Sequence, residues 1–262
     1  MKAKTEEFLY LLLWAGETLL RPNFRNMTGS FEEWAYRNGL MRQLAVLEKQ
    51  QLLESLGERH IERVHRLTET GRLIALGGRD PVARWKRKWD GNWRMVLYDV
   101  PQTQASLRAT LRRSLAERGF GYLQNSVWIT PDPLIGERER LMKDPVDVGS
   151  LILIEARTCA GESDHEIVAK AWNFEAINEA YDRHAAVVTL RPKQGLSLEG
   201  AAKSFHRWLE EERLAWNQAL ALDPLLPECL HPPNYGGVKA WKQRLEAQNK
   251  AGHQLRSFRA AP

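Results

Sequence analysis

The sequence predicts an α+β protein of three successive parts joined by a short linker. Three helical stretches and a hairpin come first, strands then alternate with helices, and two long helices close the chain. We place the three parts at residues 1–80, 92–185 and 186–262, with the linker at 81–91. The chain has 262 residues, of which 43% are hydrophobic and 27% charged, so it is long enough to bury more than one core.

Neither a membrane segment nor a disulfide framework is expected. The longest apolar run covers residues 8–15, whereas a membrane span needs about 20 residues. The two cysteines, Cys159 and Cys229, lie far apart, and neither belongs to a CxxC or CxxH pattern that would indicate zinc. This cysteine usage is typical of a reducing compartment, and we expect the protein in the cytoplasm.

The first part begins with an apolar helix at residues 8–14. A second helix, 30–37, is predicted by the capping box that Ser30 and Glu33 form, because the serine and the glutamate satisfy each other's backbone amides. A third helix is expected at 40–53. Its inward residues share one arc at helical spacing, and they are Leu40, Leu44 and Leu47.

The opposite side of this third helix carries side chains that can read DNA. Helical spacing groups there Asn38, Arg42, Ala45, Val46 and Lys49. An arginine can bind guanine, an asparagine can bind adenine, and a small apolar group can contact the thymine methyl. An ordinary exposed helix face is the alternative interpretation.

A basic hairpin is predicted directly after the third helix. Residues 52–56 and 63–68 have the pattern of two strands around a loop at 57–62, and the hairpin cations are Arg59, His60 and Arg63. Three helices followed by such a hairpin describe a winged helix-turn-helix, in which the third helix enters the major groove and the hairpin lies along the phosphate backbone.

The linker contains the stretch RWKRKWDGNWR at residues 84–94, in which three tryptophans stand four apart. A short helix from Pro81 would place Trp85 and Trp89 on one side, where we expect the indoles to pack the first domain against the second. The cations Arg84, Lys86, Arg87 and Lys88 would face solvent. We expect Lys86, Arg87 and Lys88 to contact phosphate. Stacking of the indoles on single-stranded bases is the alternative.

Charge supports a nucleic-acid partner for this region. Residues 81–130 hold nine Lys and Arg but only three Asp and Glu. Such local positive charge is what a polyphosphate partner requires, although a solvated basic face would show the same count.

The middle part has the order strand, helix, strand, strand, helix. We predict strands at 93–100, 122–130 and 150–156, and helices at 103–118 and 165–184. The first helix should turn Leu107, Leu111 and Leu115 inward. This order is typical of a ferredoxin-like domain. The last part should contain helices at 198–222 and 238–249, separated at Asp223-Pro224 because the residue before proline avoids the helical region.

The runs DPVARWKRKWDGNWRMVLYDVP and LRATLRRSLAERGFGYLQNSVWITP, together with the closing ALDPLLPECLHPPNYGG, resemble the PaaX family. Members of this family are repressors of phenylacetic-acid catabolism. Three departures stand out. The tail segment RLAWNQAL, residues 213–220, lacks the family's usual His and Arg pattern. Gln51 occupies a position before the wing where the family usually has glycine, and Asn234-Tyr235 replaces its customary Asp-Trp pair.

The resemblance implies a homodimeric repressor that binds an operator in double-stranded DNA and has no catalytic activity. It also implies release by an aryl-acyl-CoA, which is phenylacetyl-CoA in the best-known members. The residues themselves do not indicate a CoA site or another cofactor, because Gly77-Gly78 is more typical of a hinge than of a phosphate-binding loop.

Two other functions are compatible with the sequence. The middle part also resembles the ferredoxin-like CRISPR-associated spacer-acquisition protein, through Asp99 and the run QNSV at 124–127. Two copies of Asp99 in a symmetric dimer could hold a divalent cation and assist phosphodiester cleavage. Alternatively, Asp99 caps the following helix. The third possibility is a DNA-binding defence-system component that has no small-molecule effector.

Overall fold

The computed structural model describes residues 41–56, 64–75, 78–134, 150–158, 161–193 and 199–259. The chain divides into two compact units. The first unit comprises Met1–Asp80, Asp182–Asn217 and Val238–Pro262, and the second comprises Pro81–Tyr181 and Gln218–Gly237. The domain boundaries expected from the sequence stay a prediction. In the described ranges, every helix is too short or too polar to cross a membrane.

The described part of the first unit begins with helix α1, Met41–Lys49, followed by strands β1, Leu53–Leu56, and β2, Val64–Leu67. The two strands pair antiparallel, with Leu53 opposite Leu67, and helix α2, Glu69–Ala75, follows. The expected third helix and both hairpin strands are therefore confirmed. The two earlier helices and the loop at 57–62 lie outside the described residues, so the complete winged helix stays a prediction.

Helix α1 ends before the expected residue 53 because the chain reverses at Gln51. Gln51 has a φ of 57°, in the left-handed region. Its amide donates to the Glu48 carbonyl, and the Leu52 amide donates to the Leu47 carbonyl, each at 2.9 Å. This pair of bonds is a Schellman motif, and its apolar pair, Leu47 and Leu52, is buried. The family's usual glycine is therefore the residue that suits this backbone.

Gln51→Gly should raise the free energy of unfolding by about 0.5–1 kcal/mol. The substitution removes the cost of a left-handed non-glycine residue, about 1–2 kcal/mol, and a larger loss of backbone entropy on folding offsets part of this gain. Urea denaturation followed by circular dichroism measures the change. Gln50→Gly, one residue earlier, is the control and should destabilise; equal effects at both positions would contradict the explanation.

The second unit is built on a four-stranded antiparallel sheet with strand order β4-β5-β3-β6. Its elements are α3 (Pro81–Lys86), β3 (Trp93–Asp99), α4 (Ala105–Glu117), β4 (Gly121–Gln124), β5 (Val127–Thr130), β6 (Ser150–Ala156) and α5 (Asp164–Ala171). The predicted α+β class is confirmed. Strand β3, the first strand of this unit, lies inside the sheet between β5 and β6, as in a ferredoxin-like arrangement.

Two predicted elements are each divided in the structure. The expected strand at 122–130 is a hairpin, because Asn125 takes a φ of 49° and forms a tight turn with Ser126, as asparagine readily does. The expected helix at 165–184 is α5 followed by α6, Phe174–Thr189. Trp172 is extended between them, and the Asn173 side chain accepts the Ala176 amide at 3.0 Å, which starts α6.

The sheet packs against α4 and against the end of α5. One face joins α4 in a core in which Leu111 and Leu115 point inward as predicted, with Leu107 partly buried beside them. On strand β4, an added Cβ at Gly121 would lie 2.6 Å from the Trp172 ring. The sheet can therefore approach the end of α5 only because residue 121 has no side chain.

The remaining helices are α7, Glu199–Leu222, and α8, Gly237–Arg259. Helix α7 confirms the predicted helix at 198–222, whereas α8 runs past the predicted end at residue 249. Their portions in the first unit pack around a cluster of Phe205, Trp208, Leu209, Ala247 and Ala251.

Contacts among three buried polar side chains also join α6, α7 and α8. The Glu212 Oε1 atom lies 2.9 Å from His184 Nε2 and 2.7 Å from Arg244 Nε. All three side chains are fully buried, so their polar groups need partners inside the protein.

Candidate nucleic-acid interface

Helix α1 presents the predicted recognition face to solvent. Leu44 and Leu47 are 3% and 0% exposed and hold the inner side of the helix. On the outer side, Arg42, Ala45 and Lys49 are exposed, and Val46 is half-buried. The arrangement combines a guanidinium, an ammonium and small apolar groups along one side of a helix, which is the chemistry that major-groove readout uses.

The elements around α1 fix this orientation. The Thr68 hydroxyl, just after β2, donates to the Gln51 carbonyl at 2.7 Å and accepts the Gly71 amide of α2 at 3.0 Å. The Thr68 amide donates to the Leu52 carbonyl at 3.1 Å. These bonds tie the end of α1, the hairpin and α2 into one block, so the outward face of α1 is set by the fold.

Part of the predicted site falls on residues outside the described ranges. These are Asn38, Arg59, His60 and Arg63, and their predicted DNA contacts stay predictions.

The linker cations divide into two pairs. Lys86 and Lys88 are exposed, as expected. Arg84 and Arg87 instead bind one carboxylate, since Arg84 Nη2 lies 2.5 Å from Asp132 Oδ2 and Arg87 Nε lies 2.7 Å from Asp132 Oδ1. The prediction that all four cations face solvent was therefore wrong for the two arginines, and the phosphate role expected of Arg87 competes with this ion pair. We call Lys86 and Lys88 the linker lysines.

The tryptophans of the stretch pack inside the second unit. Trp85 and Trp93 are 6% and 1% exposed, and their indole Nε1 atoms donate to the Tyr235 hydroxyl at 2.9 Å and to Asp164 Oδ1 at 2.7 Å. Trp89 lies beside Trp93, with ring centroids 5.2 Å apart. The predicted role of the indoles in joining the first domain to the second stays a prediction. Burial also leaves Trp85 and Trp93 no open face on which a base could stack.

Arg94, the last cation of the stretch, is only 4% exposed. Its guanidinium binds Asp90 Oδ1 at 2.8 Å and Glu155 Oε1 at 2.9 Å, and the hydrogen bonds from Arg94 hold the pKa of Asp90 below its usual value. Arg94 thus fastens the turn after the linker to strand β6 and is not available to phosphate.

A buried carboxylate cluster near the linker was not predicted. Asp223, 1% exposed, accepts hydrogen bonds from the Tyr181 hydroxyl, from the Tyr235 hydroxyl at 2.5 Å and from the Leu225 amide at 2.7 Å. Burial, followed by the charge of Asp223, raises the pKa of both tyrosines. Both hydroxyls therefore stay protonated and donate. We call Trp85, Tyr181, Asp223, Leu225 and Tyr235 the Asp223 cluster.

Asp99 lies at the exposed end of β3. It borders a shallow pocket of about 290 Å³ that is also lined by Leu97, Tyr98, Asn125, Ser126, Val127 and Ile152. Pro101 occupies the N-cap of the following 3₁₀ turn, which has no side-chain cap, so the predicted capping role of Asp99 was wrong. Within the described residues, no three His, Cys, Asp or Glu side chains come together as a metal site would require.

The chain resembles known proteins both in part of its sequence and in its fold. Residues 86–168 match the family model of the PaaX protein central Cas2-like domain. Among solved structures, the uncharacterized protein Rv0674 from Mycobacterium tuberculosis is similar, with a TM-score of 0.50 and 19% identity over 92% of this chain and 95% of that chain. At this identity the similarity concerns the fold alone. No curated protein matches the chain.

Proposed function

We propose that this chain, whose residues 86–168 match the central domain of the PaaX family, is a PaaX-type transcriptional regulator that binds operator DNA through α1 and carries out no catalytic step. The exposed outer face of α1, placed directly before an antiparallel hairpin, is the observation that carries the proposal. In this geometry α1 enters the major groove and the hairpin follows the backbone.

The side chains on the outer face have separate tasks in this proposal. Arg42 binds a guanine edge, and Ala45 and Val46 contact the thymine methyl. Lys49, at the end of the helix, binds phosphate. Asn38 and the hairpin cations Arg59, His60 and Arg63 complete the interface, and the linker lysines add phosphate contacts from the second unit.

Regulation follows the family pattern in this proposal. The protein acts as a homodimer on an operator with two half-sites, because a two-fold symmetric dimer matches a palindromic sequence. An aryl-acyl-CoA releases it, so the protein represses its target until the thioester accumulates. The support for the effector is the resemblance of the sequence to the family.

A DNA-retention experiment tests the function. A labelled duplex carrying the region upstream of the chain's own gene should be shifted intact and released by phenylacetyl-CoA, whereas free coenzyme A should not release it. If the protein binds the duplex but no CoA ester releases it, the result would favour the DNA-binding defence-system component without an effector.

The same samples, incubated with magnesium or manganese, distinguish the nuclease alternative. Cleavage that is lost in Asp99→Asn would establish the alternative and contradict a purely regulatory role. Asp90→Asn, which changes a carboxylate bound to Arg94, serves as the matched control for the loss of an acidic group.

A further inference from the structure

The linker helix α3 is too short to hold its own conformation. It spans six residues, Pro81–Lys86, and an isolated helix of that length is unstable in water. Its shape therefore depends on contacts with other elements of the second unit. One of these is Asp132, just after β5, whose carboxylate binds Arg84 and Arg87.

The second support comes from residues far along the chain, in the segment after α7. The Leu225 carbonyl accepts a hydrogen bond from Arg87 Nη1. Leu225 reaches this position with a φ of 52°, which is unusual for a bulky residue and costs on the order of 1–3 kcal/mol. Asp223 Oδ1 binds the Leu225 amide at 2.7 Å and stabilises the turn. The strained backbone thus presents one carbonyl to Arg87, the residue directly after the linker helix.

Tyr235 provides the third support. Its hydroxyl accepts from the Trp85 indole at 2.9 Å and donates to Asp223 Oδ2 at 2.5 Å. Its ring also meets those of Phe174, Tyr181 and His231, with centroids 4.2–6.3 Å away. Tyr235 therefore connects the indole on the inner side of α3 to the buried carboxylate.

With Trp85, Arg84 and Arg87 held in this way, the linker lysines are left on the outside of the segment. We infer that Tyr235 and Asp223 are positioning residues for DNA binding, which hold α3 so that Lys86 and Lys88 meet the phosphate backbone in a fixed register. This inference rests on the proposed function. Fixing the helix before binding lowers the entropy lost when the lysines engage phosphate.

The test is a double-mutant cycle on the full chain, with fluorescence anisotropy of the upstream duplex measured at several salt concentrations. Tyr235→Phe keeps every cation but removes the hydroxyl that links Trp85 to Asp223. It should weaken binding about fivefold in the otherwise native protein. In a Lys86→Ala/Lys88→Ala background, which itself lowers the salt slope by about two units, the same change should weaken binding less than about twofold.

Two further variants make the cycle decisive. Trp85→Phe removes the other partner of the same hydrogen bond and should show the same dependence on the lysines. Tyr122→Phe removes a tyrosine hydroxyl from an exposed residue of β4 and should leave affinity unchanged in both backgrounds.

If Tyr235→Phe lowers DNA affinity by the same factor with and without the linker lysines, the inference is overturned, because a merely structural effect would not depend on those lysines. Failure of the native protein to bind any duplex at low salt would instead overturn the proposed function and the inference with it. DNA binding by the native protein therefore distinguishes a failure of the proposed function from a failure of the inference.

Discussion

Replacing Arg244 with methionine should lower the free energy of unfolding by about 3–5 kcal/mol. Arg244 and Glu212 are both fully buried and joined at 2.7 Å, and the guanidinium carbon lies 4.5 Å from the centroid of the Trp216 ring. Methionine keeps much of the side-chain volume but leaves the carboxylate without its cation. Burial already raises the pKa of Glu212 against the opposing effect of Arg244, so loss of the arginine drives the carboxyl toward its neutral form.

Urea denaturation of the full chain measures this effect, and two controls define its cause. Lys250→Met breaks an exposed ion pair with Glu246 at 4.0 Å and should change stability by less than about 0.5 kcal/mol. Glu212→Leu in the Arg244→Met protein removes the buried carboxyl whose arginine was replaced, and it should recover much of the lost free energy of unfolding. A double variant as unstable as Arg244→Met would show that packing, and not the buried charge, sets the cost.

Stability should also fall as the solution is acidified from about pH 6.5 toward pH 3. Burial, followed by the positive charge of Arg244, lowers the pKa of His184 from 6.5 to about 3. Between pH 6.5 and the folded pKa of about 3, the unfolded chain binds a proton at His184 and the folded chain does not. The free energy of unfolding is therefore highest above pH 6.5 and decreases as the pH falls through this range. The full loss is on the order of 3–5 kcal/mol.

Glu212 opposes part of this loss. Its pKa is raised in the folded protein, so the folded state takes up a proton more readily than the unfolded state, and folding gains stability as pH falls through that raised pKa. His184→Gln removes the histidine while keeping an amide that can reach Glu212. Denaturation measured from pH 7 to pH 3.5 should therefore show a shallower decline in this variant, whereas parallel curves for the two proteins would contradict the assignment.

The elements that the sequence predicted best are those with one regular apolar pattern. Leu44 and Leu47, Leu111 and Leu115, and the strand Ser150–Ala156 are placed as expected, because helical spacing or a short apolar run specifies each of them locally. Breaks within a continuous pattern were missed. Asn125 and Trp172 interrupt runs of suitable residues through single backbone conformations, and composition alone does not show such a change.

The candidate site was predictable on α1 and not around the linker. An outward stripe on one helix follows from spacing within the chain. Around the linker, the contacts join positions 45 to 150 residues apart in the sequence: Arg87 binds Asp132 and Leu225, and Trp85 binds Tyr235. No sequence periodicity connects such distant positions. In the sequence, the segment after α7 was a helix stop at Asp223-Pro224 and part of the family resemblance, and neither indicated that Asp223 is the buried carboxylate that organises the cluster.

The central claim is that the outer face of α1 reads base edges, and the ratio of operator affinity to random-duplex affinity tests it most directly. Arg42→Ala should cost roughly 1–3 kcal/mol on the operator, relax the preference at one base position, and change random-duplex binding far less. Lys49→Ala, also on the exposed face, should weaken both duplexes alike and lower the salt slope by about one unit. If Arg42→Ala leaves the ratio of the two affinities unchanged, α1 does not read the operator.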